Sequence, residues 1–130
     1  MKQVKKQHKL DKKIIQLLEQ KKPYKIFIDD VKTPNMVFSG EETEGWTVCK
    51  SSQEAINLVQ ANGYLPQSIA FDHDLGGEDT SIKFIVWMVN AHLDERIKGK
   101  VPDFSVHSDN PCGKQNIVSK MNSWKKISEL

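Results

Sequence analysis

Three short apolar runs in this 130-residue chain each end in ionisable residues. Ile26-Phe27-Ile28 runs into Asp29-Asp30, Ile69-Ala70-Phe71 into Asp72-His73-Asp74, and Phe104-Ser105-Val106 into His107-Ser108-Asp109-Asn110. Asp29, Asp30, Asp72 and Asp74 brought together would raise one another's carboxyl pKa values. A hard cation resolves such crowding. Mg²⁺ takes one or two carboxylates, with water and substrate phosphate oxygens completing its shell. The competing reading is local, because aspartates also cap helices and close turns. An Asp-Asp pair and an Asp-x-Asp at matching strand ends favour the acidic site. His73 and His107 add imidazoles at the ends of neighbouring strands. Adjacent strands lie about 4.8 Å apart, so the two rings can bracket one small anion. One imidazole then serves as base and the other as acid. That pairing suits phosphodiester opening, with water activated on one side of phosphorus and a sugar oxygen protonated on the other. One condition attaches. Side chains alternate along a strand, so His73 joins Asp72 and Asp74 only if the chain has already turned.

Polar groups around these ends supply anion-binding donors. Ser108, Asn110, the turn at Gly113 and Asn116 put hydroxyl, amide and backbone donors at a helix N-terminus. Gly76-Gly77 lets backbone approach a ligand closely. The expected substrate contacts are therefore Ser108, Asn110, Gly113, Asn116 and Gly76. His8 and His92 read as structural. No Walker loop or dinucleotide fingerprint is present, and neither Ser51 nor Ser108 has the context of a catalytic triad.

The elements that must carry these residues alternate. Lys25–Ile28, 46–49, 68–71 and 104–106 read as strands, the first with no polar alternation after Lys25, as expected for a strand covered on both faces. Residues 31–45 read as a long loop with no helical period. Ser51 or Ser52 opens a helix that Asn62-Gly63 closes. Thr80 or Ser81 opens another, to about Arg96, apolar around most of its circumference. Asn110-Pro111 starts a last helix, with a tail from Lys125 expected to fray. Alternating strands and helices mean a parallel sheet, with the flavodoxin-like order 2-1-3-4. Ahead of it, residues 4–20 form an amphipathic helix with Leu10, Ile14, Leu17 and Leu18 on one face, and Pro23 ends it. The chain thus divides into a basic helix, residues 1–23, and an α/β domain, residues 24–130.

Hydrophobic content of 38% and charged content of 28% are those of a globular domain with its own core. The net charge of +2 conceals an asymmetry. Residues 1–22 hold eight Lys against Asp11 and Glu19, or +6; the remainder holds eleven Lys and Arg against fifteen acidic residues, or −4. The basic segment could attract RNA or a protein partner, or form a solvated lysine face. No membrane span or secretory signal is visible. Cys49 and Cys112 lack metal or redox spacing, so a cytoplasmic location is the default expectation.

Three stretches carry a resemblance. Lys25-Ile-Phe-Ile-Asp-Asp-Val-Lys-Thr-Pro34, Phe71-Asp-His-Asp-Leu-Gly76, and Val106-His-Ser-Asp-Asn-Pro-Cys-Gly113 with Asn116 resemble the cyclic-phosphate-processing receiver-like domains, over residues 24–124. The resemblance implies a three-layer, flavodoxin/receiver-like fold with helices flanking the sheet. It implies a phosphoesterase acting on a cyclic phosphate, at an RNA end or in a nucleotide. It also implies that Asp29-Asp30 are the receiver acidic pair that holds Mg²⁺, that Asp72 matches the phospho-acceptor, and that His73 and His107 are the acid/base pair. Ser108 matches the receiver hydroxyl residue. Two departures count against phosphorelay: the 31–45 loop replaces the first receiver helix, and no fifth strand brings the usual lysine. The alternatives are a non-catalytic nucleotide or cyclic-phosphate sensor, a degenerate receiver phosphorylated on Asp72, and a partner-binding module built on the lysine helix.

Overall fold

A computed structural model describes residues 22–130. All but the last two residues of the expected 1–23 helix lie outside them. Strands β1 (Lys25–Ile28), β2 (Trp46–Cys49), β3 (Ser68–Phe71) and β4 (Asp103–Val106) form one parallel sheet in the order β2-β1-β3-β4. Between β1 and β2 lie a single helical turn, α1 (Pro34–Val37), and a 3₁₀ turn at Gly40–Thr43. Helices α2 (Ser52–Asn62), α3 (Ser81–Leu93) and α4 (Pro111–Ser128) follow β2, β3 and β4. No described helix is long and apolar enough to cross a membrane.

The pleat sorts the strand residues. Ile26 and Ile28 of β1 pair in register with Ile69 and Phe71 of β3, and those with Phe104 and Val106 of β4. All share one face. On it they pack against Ala55 and Val59 of α2, Phe84 and Met88 of α3, and Ile117, Met121 and Trp124 of α4. Phe27 points to the opposite face. There Phe38 and Trp46, stacked on each other at 5.4 Å, meet it edge-on. The 31–45 segment thus supplies the second covering layer among the described residues.

Helix ends follow their sequence signals. The Ser51 hydroxyl accepts from Glu54 N, and Gly63 closes α2 in the left-handed region. Asp79 adds a tie from the β3–α3 loop, accepting from Ser52 N at 2.8 Å and Ser52 Oγ at 2.5 Å. His92 is structural, as its position implied. Its Nδ1 accepts from Trp124 Nε1–H, and its Nε2–H donates to Gly99 O.

Four expectations are corrected. The 31–45 stretch is not all loop, because a helix of one turn is too short to show a period. Helix α3 stops at Leu93 and not near Arg96; Ile97 folds back, its N–H bonding to Ala91 O. The helix, though apolar around most of its circumference, is not buried all round, since Val86 and Leu93 are exposed. Helix α4 continues through the expected frayed tail to Ser128, because Trp124 anchors its last turns in the core.

Candidate active-site cleft at the carboxyl edge of the sheet

Strands β1, β3 and β4 each keep one more ladder bond past their last residue. Asp29 N donates to Cys49 O, Asp72 N to Ile28 O and His107 N to Phe71 O, at 2.9–3.0 Å. Asp29, Asp72 and His107 therefore stand on backbone as fixed as the sheet itself. Asp30, Asp74, Ser108 and Asn110 extend from the loops beyond. With Asp29, Asp72, Val31, Lys32 and Asp109 they line a cleft of about 400 Å³.

Ligand oxygens of Asp29, Asp30 and Asp72 lie within 4.8 Å of one another. Asp29 is 1% exposed. Its Oδ1 accepts from the N–H groups of Val31 and Lys32, at 2.9 and 2.8 Å. Its Oδ2 faces His107 Nε2 at 2.9 Å. A carboxylate oxygen offers about two acceptor sites, so Oδ1 is filled and Oδ2 keeps one free. Asp72 is half-buried. Burial, and then repulsion from Asp29, raises its carboxyl above the ordinary aspartate range, against smaller pulls from the His73 N–H and His107. Gly76 makes room for this group, since a Cβ there would sit 3.2 Å from Asp30 Oδ2. Three hard oxygen donors converging at the cleft fit a divalent cation of the Mg²⁺ type.

Asp74 belongs to a different set. Its Oδ2 accepts from Asn110 Nδ2 at 3.2 Å, and its Oδ1 lies 3.1 Å from His73 Nδ1. The Asn110 amide first, and His73 second, hold its carboxyl below the ordinary range. Asp74 therefore orients His73, and it falls outside the three-carboxylate cluster.

The chain has turned at His73, as the site required. Strand β3 ends at Phe71, Ser81 Oγ donates to Asp72 O, and Ser81 N donates to His73 O at 2.9 Å. The turn sends the ring toward α4, where it lies on Gly113. His107 goes the other way. Its ring stacks on Phe27, centroids 4.7 Å apart and planes 9° apart, on the face away from α4. The two imidazoles leave the sheet edge on opposite sides, and neither is among the residues lining the cleft. The expected bracket around one anion is not formed by these side chains.

The two rings also differ in what they can do. His107 is 9% exposed; its Nε2–H donates to Asp29, and its Nδ1 is buried without a partner. His73 is 14% exposed, with Nδ1 held by Asp74 and no partner on Nε2 among the described residues. Only His73 offers a nitrogen for proton exchange. Replacing His107 with leucine should cost about 1–3 kcal/mol of stability in a denaturant titration, because Asp29 Oδ2 is left buried without its donor.

Three expected substrate contacts, Gly76, Gly113 and Asn116, are not among the residues lining the cleft. The Gly113 N–H donates to Asn110 Oδ1, capping α4, so it is not free for an anion. Asn116 lies in the groove between α3 and α4, beside Ile85 and Val86. Sequence spacing could not show this, because it does not tell which side of α4 is turned toward the cleft. Ser108 and Asn110 do line the cleft, with Ser108 Oγ accepting from Asn110 N. Lys32 was missed. It is the one cation among the cleft residues, and its signal was its place three residues after Asp29.

The profile of the cyclic-phosphate processing receiver domain matches residues 24–123. The chain belongs to that family. This receiver-like domain has no match among curated proteins or solved structures. The match spans all four strands and the three loops that carry the cleft, so the cleft is part of the family's own domain. It stops within α4 and begins at Tyr24.

The raised carboxyl of Asp72 has a consequence for stability. Well below the ordinary aspartate range the group is protonated in both folded and unfolded chains. As pH rises, the unfolded chain releases its proton first, and stability falls through the window up to the raised native value. The deficit persists above that window. Asp72→Asn, without a proton to lose, should therefore raise the melting temperature at neutral pH in chelator by about 2–4 °C, allowing for solvent screening. The gain should vanish on titration to acid, and scanning calorimetry at several pH values measures it.

Proposed function

We propose that the cleft hydrolyses a cyclic phosphate diester, of the kind found in a 2′,3′-cyclic nucleotide or at an RNA end, to a monoester. The observation that carries this reading is three close carboxylates in one open cleft whose lining also includes Asp74, the residue that holds His73 Nδ1. In this reading a water attacks phosphorus and the bond from phosphorus to one sugar oxygen breaks. His73, neutral with its Nδ1–H toward Asp74, accepts the water's proton on Nε2 and delivers it to the leaving sugar oxygen. Asp74 holds the tautomer and steadies the imidazolium while the proton is on the ring. Asn110 holds Asp74. His107 is a positioning residue that fixes Asp29 and touches no reacting atom.

Asp29 through Oδ2, Asp30 and Asp72 are the residues that would hold a divalent cation. Such an ion would supply charge neutralisation to the phosphate oxygens. Incubation with a 2′,3′-cyclic nucleotide, with phosphorus NMR following the diester and monoester, tests the reading. A specific observation favours a second reading, a cyclic-phosphate sensor: neither imidazole lines the cleft walls. Binding by calorimetry without any monoester formed would select it. Contacts of the basic N-terminal segment with RNA or protein fall outside the described residues.

A further inference from the structure

Lys32 Nζ reaches across the cleft from the loop after β1 to the loop after β4, ending 3.4 Å from Asp109 Oδ2. The two side chains are 37% and 95% exposed. Lys32 is anchored at its base, where its N–H donates to Asp29 Oδ1. Asp109 has no other polar partner among the described residues, so little but Lys32 holds it in place. Exposed pairs of this length contribute little to stability. Five of the nine cleft residues are aspartates and Lys32 is the single cation. An anion entering the cleft meets repulsion from every charged side chain except this one.

We propose that Lys32 is the phosphate-receiving residue of the cleft and that Asp109 is its displaceable counter-ion. The phosphate takes the place of the Asp109 carboxylate on Nζ. Asp109 swings out, at small cost because it is exposed and otherwise unattached. A phosphate displaces Asp109 because its non-bridging oxygens can form a charge-assisted hydrogen bond to Nζ shorter than the 3.4 Å contact they replace. No new bond to carbon, phosphorus or metal is involved, only exchange of one ion pair for another.

The inference rests on the reading of the cleft as a phosphate site. It can be tested apart from turnover, with inorganic phosphate as the probe and magnesium chloride held constant. Calorimetry should show Lys32→Ala weakening phosphate binding by about tenfold or more. Asp109→Asn should strengthen it by about two- to fivefold, as the competitor is removed. In a Lys32→Ala background, Asp109→Asn should lose that gain, apart from a small uniform effect of net charge. Equal gains from Asp109→Asn with and without Lys32 would overturn the exchange, as would unchanged binding in Lys32→Ala or no phosphate binding by the unmodified protein. Loss of binding in Lys32→Ala together with no hydrolysis of a 2′,3′-cyclic nucleotide by the unmodified protein would support the exchange while defeating the hydrolase reading.

Discussion

Replacing His73 with alanine is expected to lower hydrolysis of a 2′,3′-cyclic nucleotide by about 10²–10⁴-fold, the usual contribution of a positioned acid or base. The fold should survive. The ring is not in the apolar core, and the turn it sits on is pinned by Ser81 through backbone atoms of Asp72 and His73. His73→Gln is a useful companion, since it keeps polar reach but carries no exchangeable imidazole proton. Both variants should fail alike in turnover while retaining the circular dichroism of the unmodified protein. His107→Leu should instead lose stability before it loses chemistry, because its donated hydrogen bond supports Asp29.

Gly113→Ala should do two kinds of damage at once. A Cβ built there would lie 2.3 Å from His73 Cγ, and 2.7 Å from Cδ2 and Nδ1. No real contact is that short, so the ring must move. Gly113 has ordinary helical backbone on the first turn of α4, so alanine would otherwise stabilise the helix by about 1 kcal/mol. The clash should reverse that sign and cost about 1–3 kcal/mol. Displacing the imidazole by an ångström should also lower turnover by about 10²-fold. The two variants form a cycle. With His73 already alanine, the three closest contacts are gone and Gly113→Ala should become neutral or stabilising. Urea titration of the four proteins measures this, and a destabilisation that persists without the ring would place the strain elsewhere.

The strands and their order were legible because β1, β3 and β4 each carry a short, mainly apolar run that ends in ionisable residues, with helical patterns between the strands. The cap residues Ser51, Gly63 and Asn110 were equally legible, since their chemistry is local. What could not be read was direction. His73 and His107 occupy similar positions after adjacent strands. Yet the pleat and the turn at Ser81 send one ring toward α4 and the other onto Phe27. Asp74 looked like a fourth carboxylate of the acidic set, but its neighbours Asn110 and His73 give it another partner. Gly113 looked like a backbone donor. Its N–H serves Asn110, and its missing side chain is what His73 requires. Lys32 was passed over because a lysine in a loop carries no periodic signal. Only the fold shows that the loop after β1 overhangs the cleft.

The most direct test of the central claim is phosphorus NMR of a 2′,3′-cyclic nucleotide incubated with the unmodified domain and magnesium, beside His73→Ala. The account predicts conversion of the cyclic diester to a monoester by the unmodified domain and at least a hundredfold slower conversion by His73→Ala. No conversion by the unmodified domain, or equal rates in the two proteins, would contradict it.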